Sequence, residues 1–298
     1  MDMTFPVIFS SIARIISLVL LACLLQACSS AKLAYNQAPE LAYWYLDGYV
    51  DFSSSQSLQV KDELTKLQTW HRQTQLPTYI DMLQKMQQKM PLDITSQDTC
   101  NILSDARRKF LEVSDQSQPA VVTLLDTLTS NQIDTMARKF EKGNAEFRND
   151  YLQITKPVNQ TKRYKQAVSR AEMLYGRLDD RQISLIALQV EKSRFNGPLA
   201  YAERQRRQLD TLQTLRTLVK NQATPEQKKL AVRNLFERSL MSPNLNYAEY
   251  IDEVTKENCA NLASLHNSTS VSQRRKAVET LMGYQQDMRT LSTQGSNL

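Results

Sequence analysis

The chain holds two histidines, His71 and His266, and they limit the acid–base or metal chemistry it could run. Neither has a His, Cys, Asp or Glu three or four positions away, so neither can join the helical ligand pair that a metal site would use. A triad with partners brought from elsewhere in the chain stays open. Six glycines in 298 residues leave no Gly-rich phosphate loop and no nucleophile elbow. The residue types therefore point to no catalytic group, no cofactor and no metal ion.

His71 belongs to the most distinctive local cluster, Trp70-His71-Arg72 followed by Leu76-Pro77-x-Tyr79. Two readings fit. In one, Trp70 packs in a buried stripe and its neighbours are solvated. In the other, Pro77 kinks the helix and Trp70, His71, Arg72 and Tyr79 line a ligand groove; an enzyme would then use His71.

A third group is basic. From Lys162 to Arg238 there are 17 basic and 8 acidic residues; the net charge is −2 over 28–156 and +8 over 157–298. Arg204, Arg206 and Arg207 share one helix with Tyr201 and Glu203. Arginine suits bidentate contact with phosphate or carboxylate. Like charges this close repel, so either acids from other helices offset them or the surface binds anions. A solvated helical face is the plain alternative.

The cysteines carry the fourth kind of chemistry. Leu24-Leu25-Gln26-Ala27-Cys28 closes an apolar run of about 11 residues behind Arg14, an export-signal pattern too short for the roughly 20 residues of a permanent span. This segment resembles the bacterial lipoprotein signal. The resemblance implies cleavage after Ala27 and acylation of Cys28, and Ser29 in place of Asp implies an outer-membrane destination facing the periplasm. Several acyl chains, at about 0.8 kcal/mol per buried methylene, make such an anchor essentially permanent. An exported protein meets no nucleic acid. Its expected partners are the outer membrane through the lipidated N-terminus, and anionic lipid, lipopolysaccharide or an acidic protein at the basic half. Oligomeric state is left open. Cys100 and Cys259 remain after processing, and an oxidising compartment favours a disulfide between them over two inert thiols.

The elements that position these residues are helices. Apolar spacings of 3 and 4, few glycines and no alternating Val/Ile runs predict an all-α bundle of about ten helices with short connections and no sheet. The expected organisation is a signal over 1–27, a tether over 28–34, an N-terminal helical half over 35–156 and a basic half over 157–298, forming one continuous helical domain. Leu41, Trp44, Tyr45, Gly48, Tyr49 and Phe52 form a stripe expected to face the bundle, with Glu40, Tyr43, Asp47 and Asp51 opposite. Acidic residues on an outer face would be repelled by anionic headgroups, which speaks against a membrane role for the stripe. Pro77 is expected to kink or split a helix over 54–90. A third helix is expected over 96–114, with Pro119 opening a fourth. Thr129, Asp179, Thr224 and Ser270 each precede a Gln by three residues, the capping-box signature of a helix start.

Several of these residues together resemble a proteobacterial family of outer-membrane-type lipoproteins of unknown function. They are the Cys28 signal, Tyr45-Leu46-Asp47 to Asp51 with Gln56, Trp70-His71-Arg72 with Leu76-Pro77-x-Tyr79, Tyr175-Gly176-Arg177-Leu178 with Gln182, and His266-Asn267 with Gln273-Arg274. This resemblance implies a class and a place, and no activity. Leu128-Thr129-x-x-Gln132 is also similar to the repeated motif of Spy/CpxP-like periplasmic chaperones, from which Leu178-Asp179-x-x-Gln182 departs. A capping box produces the same pattern in any helical protein. The reading that results is a non-enzymatic, lipid-anchored binding or scaffold module. A holdase chaperone and an enzyme using His71 are its alternatives.

Overall fold

A computed structural model describes residues 31–152 and 155–294. The segment Leu24 to Cys28 and the expected signal lie outside them. Among the described residues there are eleven α-helices and no strand: α1 Ala38–Val50, α2 Ser54–Trp70, α3 Leu76–Lys89, α4 Ser96–Leu124, α5 Ser130–Phe147, α6 Lys156–Tyr175, α7 Asp180–Glu191, α8 Gly197–Lys220, α9 Pro225–Leu240, α10 Leu245–Asn267 and α11 Val271–Thr293. The protein is all-α. A helical turn over 31–36 leads into α1, and π-helical segments occupy His71–Gln75 and Arg148–Leu152.

Helix starts follow the capping chemistry. Thr129, Asp179, Thr224 and Ser270 all close reciprocal capping boxes with the Gln three residues on. Two further boxes, Ser53 with Gln56 and Thr95 with Asp98, open α2 and α4. Each box satisfies two N–H groups that a helix start leaves without partners.

Pro119 departs from expectation, while regular α-helix is interrupted just before Pro77, near Leu76 as expected. Pro119 does not open a helix but sits inside the 29-residue α4. It removes the hydrogen bond to the carbonyl of Asp115, and both residues are exposed, so water takes that carbonyl. Before Pro77 the helix widens instead of splitting. Leu76 N–H donates to His71 O, five residues back, which places Pro77 in the first turn of α3 where it displaces no donor.

Two cores result. One gathers Val50, Leu125, Leu128, Ile133, Leu215 and Val232 from α1, the α4–α5 connection, α5, α8 and α9. The other gathers Leu83, Tyr175, Leu178, Ile186, Leu265 and Leu281 from α3, α6, α7, α10 and α11 and the turn after α6. Both draw residues from either side of Pro157, so the charge change there is not a packing boundary. Cys100 on α4 and Cys259 on α10 form a disulfide with their Cα atoms 5.3 Å apart.

The expected facing of the stripe holds for Tyr49 and Phe52, which pack against the first core, and fails for its N-terminal part. Leu41, Trp44 and Tyr45 are 54%, 66% and 66% exposed. The bundle side of α1 combines Tyr49 and Val50 with polar residues. Glu40 pairs with Lys61 at 3.0 Å, the Tyr43 hydroxyl donates to Ser57, and Asp47 accepts from Phe52 N–H. Glu40 thus pairs with α2 while its side chain stays 43% exposed, Asp47 caps the end of its own helix, and Asp51 is exposed.

Candidate functional site

A cleft of about 520 Å³ opens between α1, α5, α8 and α10. It is the size of an ordinary small-molecule site. Its apolar wall comes from Leu46, Val50, Met136, Phe140 and Phe147, and its polar wall from Glu203, Arg204 and Arg207, with the rings of Tyr45, Tyr49 and Tyr247 at the edges. Two groups that looked unrelated in sequence, the aromatic stripe of α1 and the arginines of α8, thus meet across one opening.

The three arginines divide into distinct roles. Glu203 is only 4% exposed and accepts from Arg206, Arg207 and the Ser242 hydroxyl. Burial pushes its carboxyl upward, but these donors outweigh it and hold Glu203 below its ordinary pKa. Arg206 also reaches Asp210 and the carbonyl of Arg238, so its charge is spent inside the protein. Arg207 shares Glu203 and lies over the Tyr247 ring at 5.8 Å. Arg204 has no carboxylate partner among the described residues. Its Nε donates to Asn144 Oδ1 at 2.9 Å, and its guanidinium lies 5.8 Å from the Phe147 ring centre.

Two neighbours set the position of Arg204. Asn144 is 5% exposed and donates its own amide to Gln208, which fixes the oxygen toward Arg204. Gly143 provides room: a Cβ there would lie 2.8 Å from the guanidinium. The site therefore presents one half-buried guanidinium with donors to spare, in an aromatic and aliphatic frame. Such a group recognises a carboxylate, sulfonate or phosphate. The hydroxyls nearby stay protonated: Tyr49 is pushed up first by its hydrogen bond with Tyr45, and Tyr247 by burial.

The second sequence cluster lies elsewhere. The Tyr35 hydroxyl is 2.9 Å from His71 Nδ1, and the Tyr79 ring meets His71 edge-on at 5.4 Å. Arg72 donates to Leu291 O and Asn36 Oδ1, tying α2 to the end of α11 and to the start of the described chain. Trp70 is half-buried. His71, Arg72 and Tyr79 brace the π-helical segment, and neither they nor Trp70 line the cleft. Burial holds His71 below its ordinary pKa. Among the described residues no three His, Cys, Asp or Glu side chains gather as a metal would require.

Sequence reasoning missed Gly143, Asn144, Phe140, Phe147 and Tyr247. One signal was present: Phe140, Gly143, Asn144 and Phe147 fall at i, i+3, i+4 and i+7, one face of α5.

The fold and site define an all-α protein with an arginine-bearing aromatic cleft. Residues 48–244 match a family of unknown function, DUF6279, and the chain belongs to it. No curated protein and no solved structure matches the chain.

Proposed function

We propose that this protein is a lipid-anchored, periplasm-facing module of the outer membrane that binds an anionic ligand in the α1–α5–α8 cleft without transforming it. The observation that carries the reading is Arg204, a guanidinium held by a buried amide beside Phe147 and left without a carboxylate among the described residues. The apolar wall beside it favours a ligand with an uncharged, hydrophobic part. The Cys28 signal motif and the Cys100–Cys259 bridge both suit an exported chain. No helix among the described residues is long and apolar enough to cross a membrane, so membrane attachment falls to the acylated end in this reading.

Titration with dihexanoyl-phosphatidylglycerol, kept below its micellar concentration, tests the reading. Saturable one-to-one binding that weakens with added salt is expected. Equal binding of the zwitterionic choline analogue, or no saturable binding of either, contradicts it.

A further inference from the structure

The outer surface of the segment over 31–50 is mostly apolar, with one charge at its edge, the Glu40 carboxylate, whose side chain is 43% exposed and paired with Lys61. Its exposed residues are Ala31, Leu33, Ala34, Asn36, Gln37, Leu41, Trp44, Tyr45, Leu46 and Gly48. Its three charged residues all have partners: Lys32 with Asp287, the exposed Glu40 side chain with an equally exposed Lys61, and Asp47 with the backbone N–H of Phe52 just past the end of its own helix. Leu33, Gln37, Leu41, Trp44, Tyr45 and Gly48 follow helical spacing and form one face. Trp44 already gives its indole N–H to Glu40 at 2.9 Å, and the Tyr45 hydroxyl turns to Tyr49. Apart from Gln37 and the Glu40 carboxylate beside Trp44, what remains outward on this face is ring and aliphatic carbon.

We infer that this face lies in the headgroup region of the outer membrane as a second, non-covalent contact. The inference rests on the proposed acylation of Cys28. Ala31 stands three residues after Cys28, a reach of about 10 Å even when extended. The face therefore starts at the bilayer surface. Leu, Trp and Tyr on a helical face whose one carboxylate, Glu40, is neutralised by Lys61 suit the water–lipid boundary, where apolar rings enter and polar tips stay solvated. With both ends held, α1 lies along the membrane and the cleft, whose rim includes Tyr45, opens beside it.

The test uses the protein extracted from membranes and reconstituted in phosphatidylethanolamine–phosphatidylglycerol vesicles, with and without brominated acyl chains. Trp44 and Trp70 are its two tryptophans, and the exposed Trp44→Phe change isolates the Trp44 signal by difference. Brominated lipid is expected to quench about half or more of that signal, and Leu41→Glu to cut the quenching at least twofold. A Trp44 signal untouched by brominated lipid but open to aqueous acrylamide overturns the inference. So does Trp44 burial that rises with protein concentration when vesicles are absent, because a second copy would then cover the face. Intact mass separates the two readings. Acylated protein without quenching removes the face contact alone, unacylated protein with quenching removes the anchor alone, and unacylated protein without quenching removes both.

Discussion

The side-chain amides of Gln182 and Gln273 donate to each other reciprocally, each at 2.8 Å, across 91 positions of the chain. Gln56 and Gln132 do the same, at 3.3 and 2.6 Å. In all four cases the amide also donates to the carbonyl five residues before the partner glutamine: Ser268, Arg177, Thr127 and Asp51. Each glutamine meanwhile closes its own capping box. One residue thus starts a helix and locks two helix starts together, once beside each core.

Removing such a glutamine leaves buried polar groups unpaired, at a cost of about 1–3 kcal/mol. Gln182→Leu is expected to lower the unfolding free energy by that amount in denaturant titration. Gln97→Ala, at an exposed glutamine, should change it by less than about 0.5 kcal/mol.

The Cys100–Cys259 bridge closes a loop of 159 positions. Reduction, or the Cys100→Ala/Cys259→Ala pair, is expected to cost about 2–5 kcal/mol. Thiol titration of the unfolded, unreduced chain should find neither cysteine free.

His266 is fully buried, with Nδ1 against the Tyr175 hydroxyl and Nε2 against Leu92 O. The carbonyl accepts only, so Nε2 carries the hydrogen and Nδ1 accepts from Tyr175: the ring is neutral. Burial lowers its pKa and pushes Tyr175 up to about 12. A folded-state pKa below the unfolded value of about 6.5 gives stability that is complete above that pH and is lost as pH falls. His71 is lowered by burial and adds in the same direction. Unfolding free energy should be flat from about pH 8 to 7 and decline below about 6.5. His266→Gln should reduce the decline while lowering stability at pH 8.

Gly143→Ala separates site geometry from charge. It adds a good helix former within α5, worth up to about 1 kcal/mol, and drives the Arg204 guanidinium from its seat. Unchanged or raised thermal stability with at least about threefold weaker binding of dihexanoyl-phosphatidylglycerol is expected.

Local signals were the legible ones. Capping boxes at Thr129, Asp179, Thr224 and Ser270 announced their helices because both partners lie within four residues. The outward facing of Leu41, Trp44 and Tyr45 was hidden because it depends on Lys61 and Ser57 of α2, which pair with Glu40 and Tyr43 against the hydropathy pattern. Pro119 misled because an exposed proline costs a helix little when water reaches the abandoned carbonyl. The arginines of α8 were visible, but their sorting was not. Which of them stays without an acid depends on the reach of Glu203 and Asp210 and on Asn144, some 60 positions away. His71, Arg72, His266, Asn267 and Arg274, singled out in the sequence, proved to be braces. Asn267 exchanges two hydrogen bonds with the backbone of Ile94, and Arg274 holds Pro91 and Asp93.

The central claim is that Arg204 reads the ligand's negative charge. Its most direct measurement compares dihexanoyl-phosphatidylglycerol affinity in Arg204→Gln and Arg216→Gln, two changes on α8 that remove equal charge. Arg216 is exposed, paired with Asp134 and away from the cleft. The account predicts about tenfold or greater loss for Arg204→Gln, the loss of one charge-assisted contact, and less than twofold for Arg216→Gln. Equal losses would make binding a matter of overall charge and would contradict it.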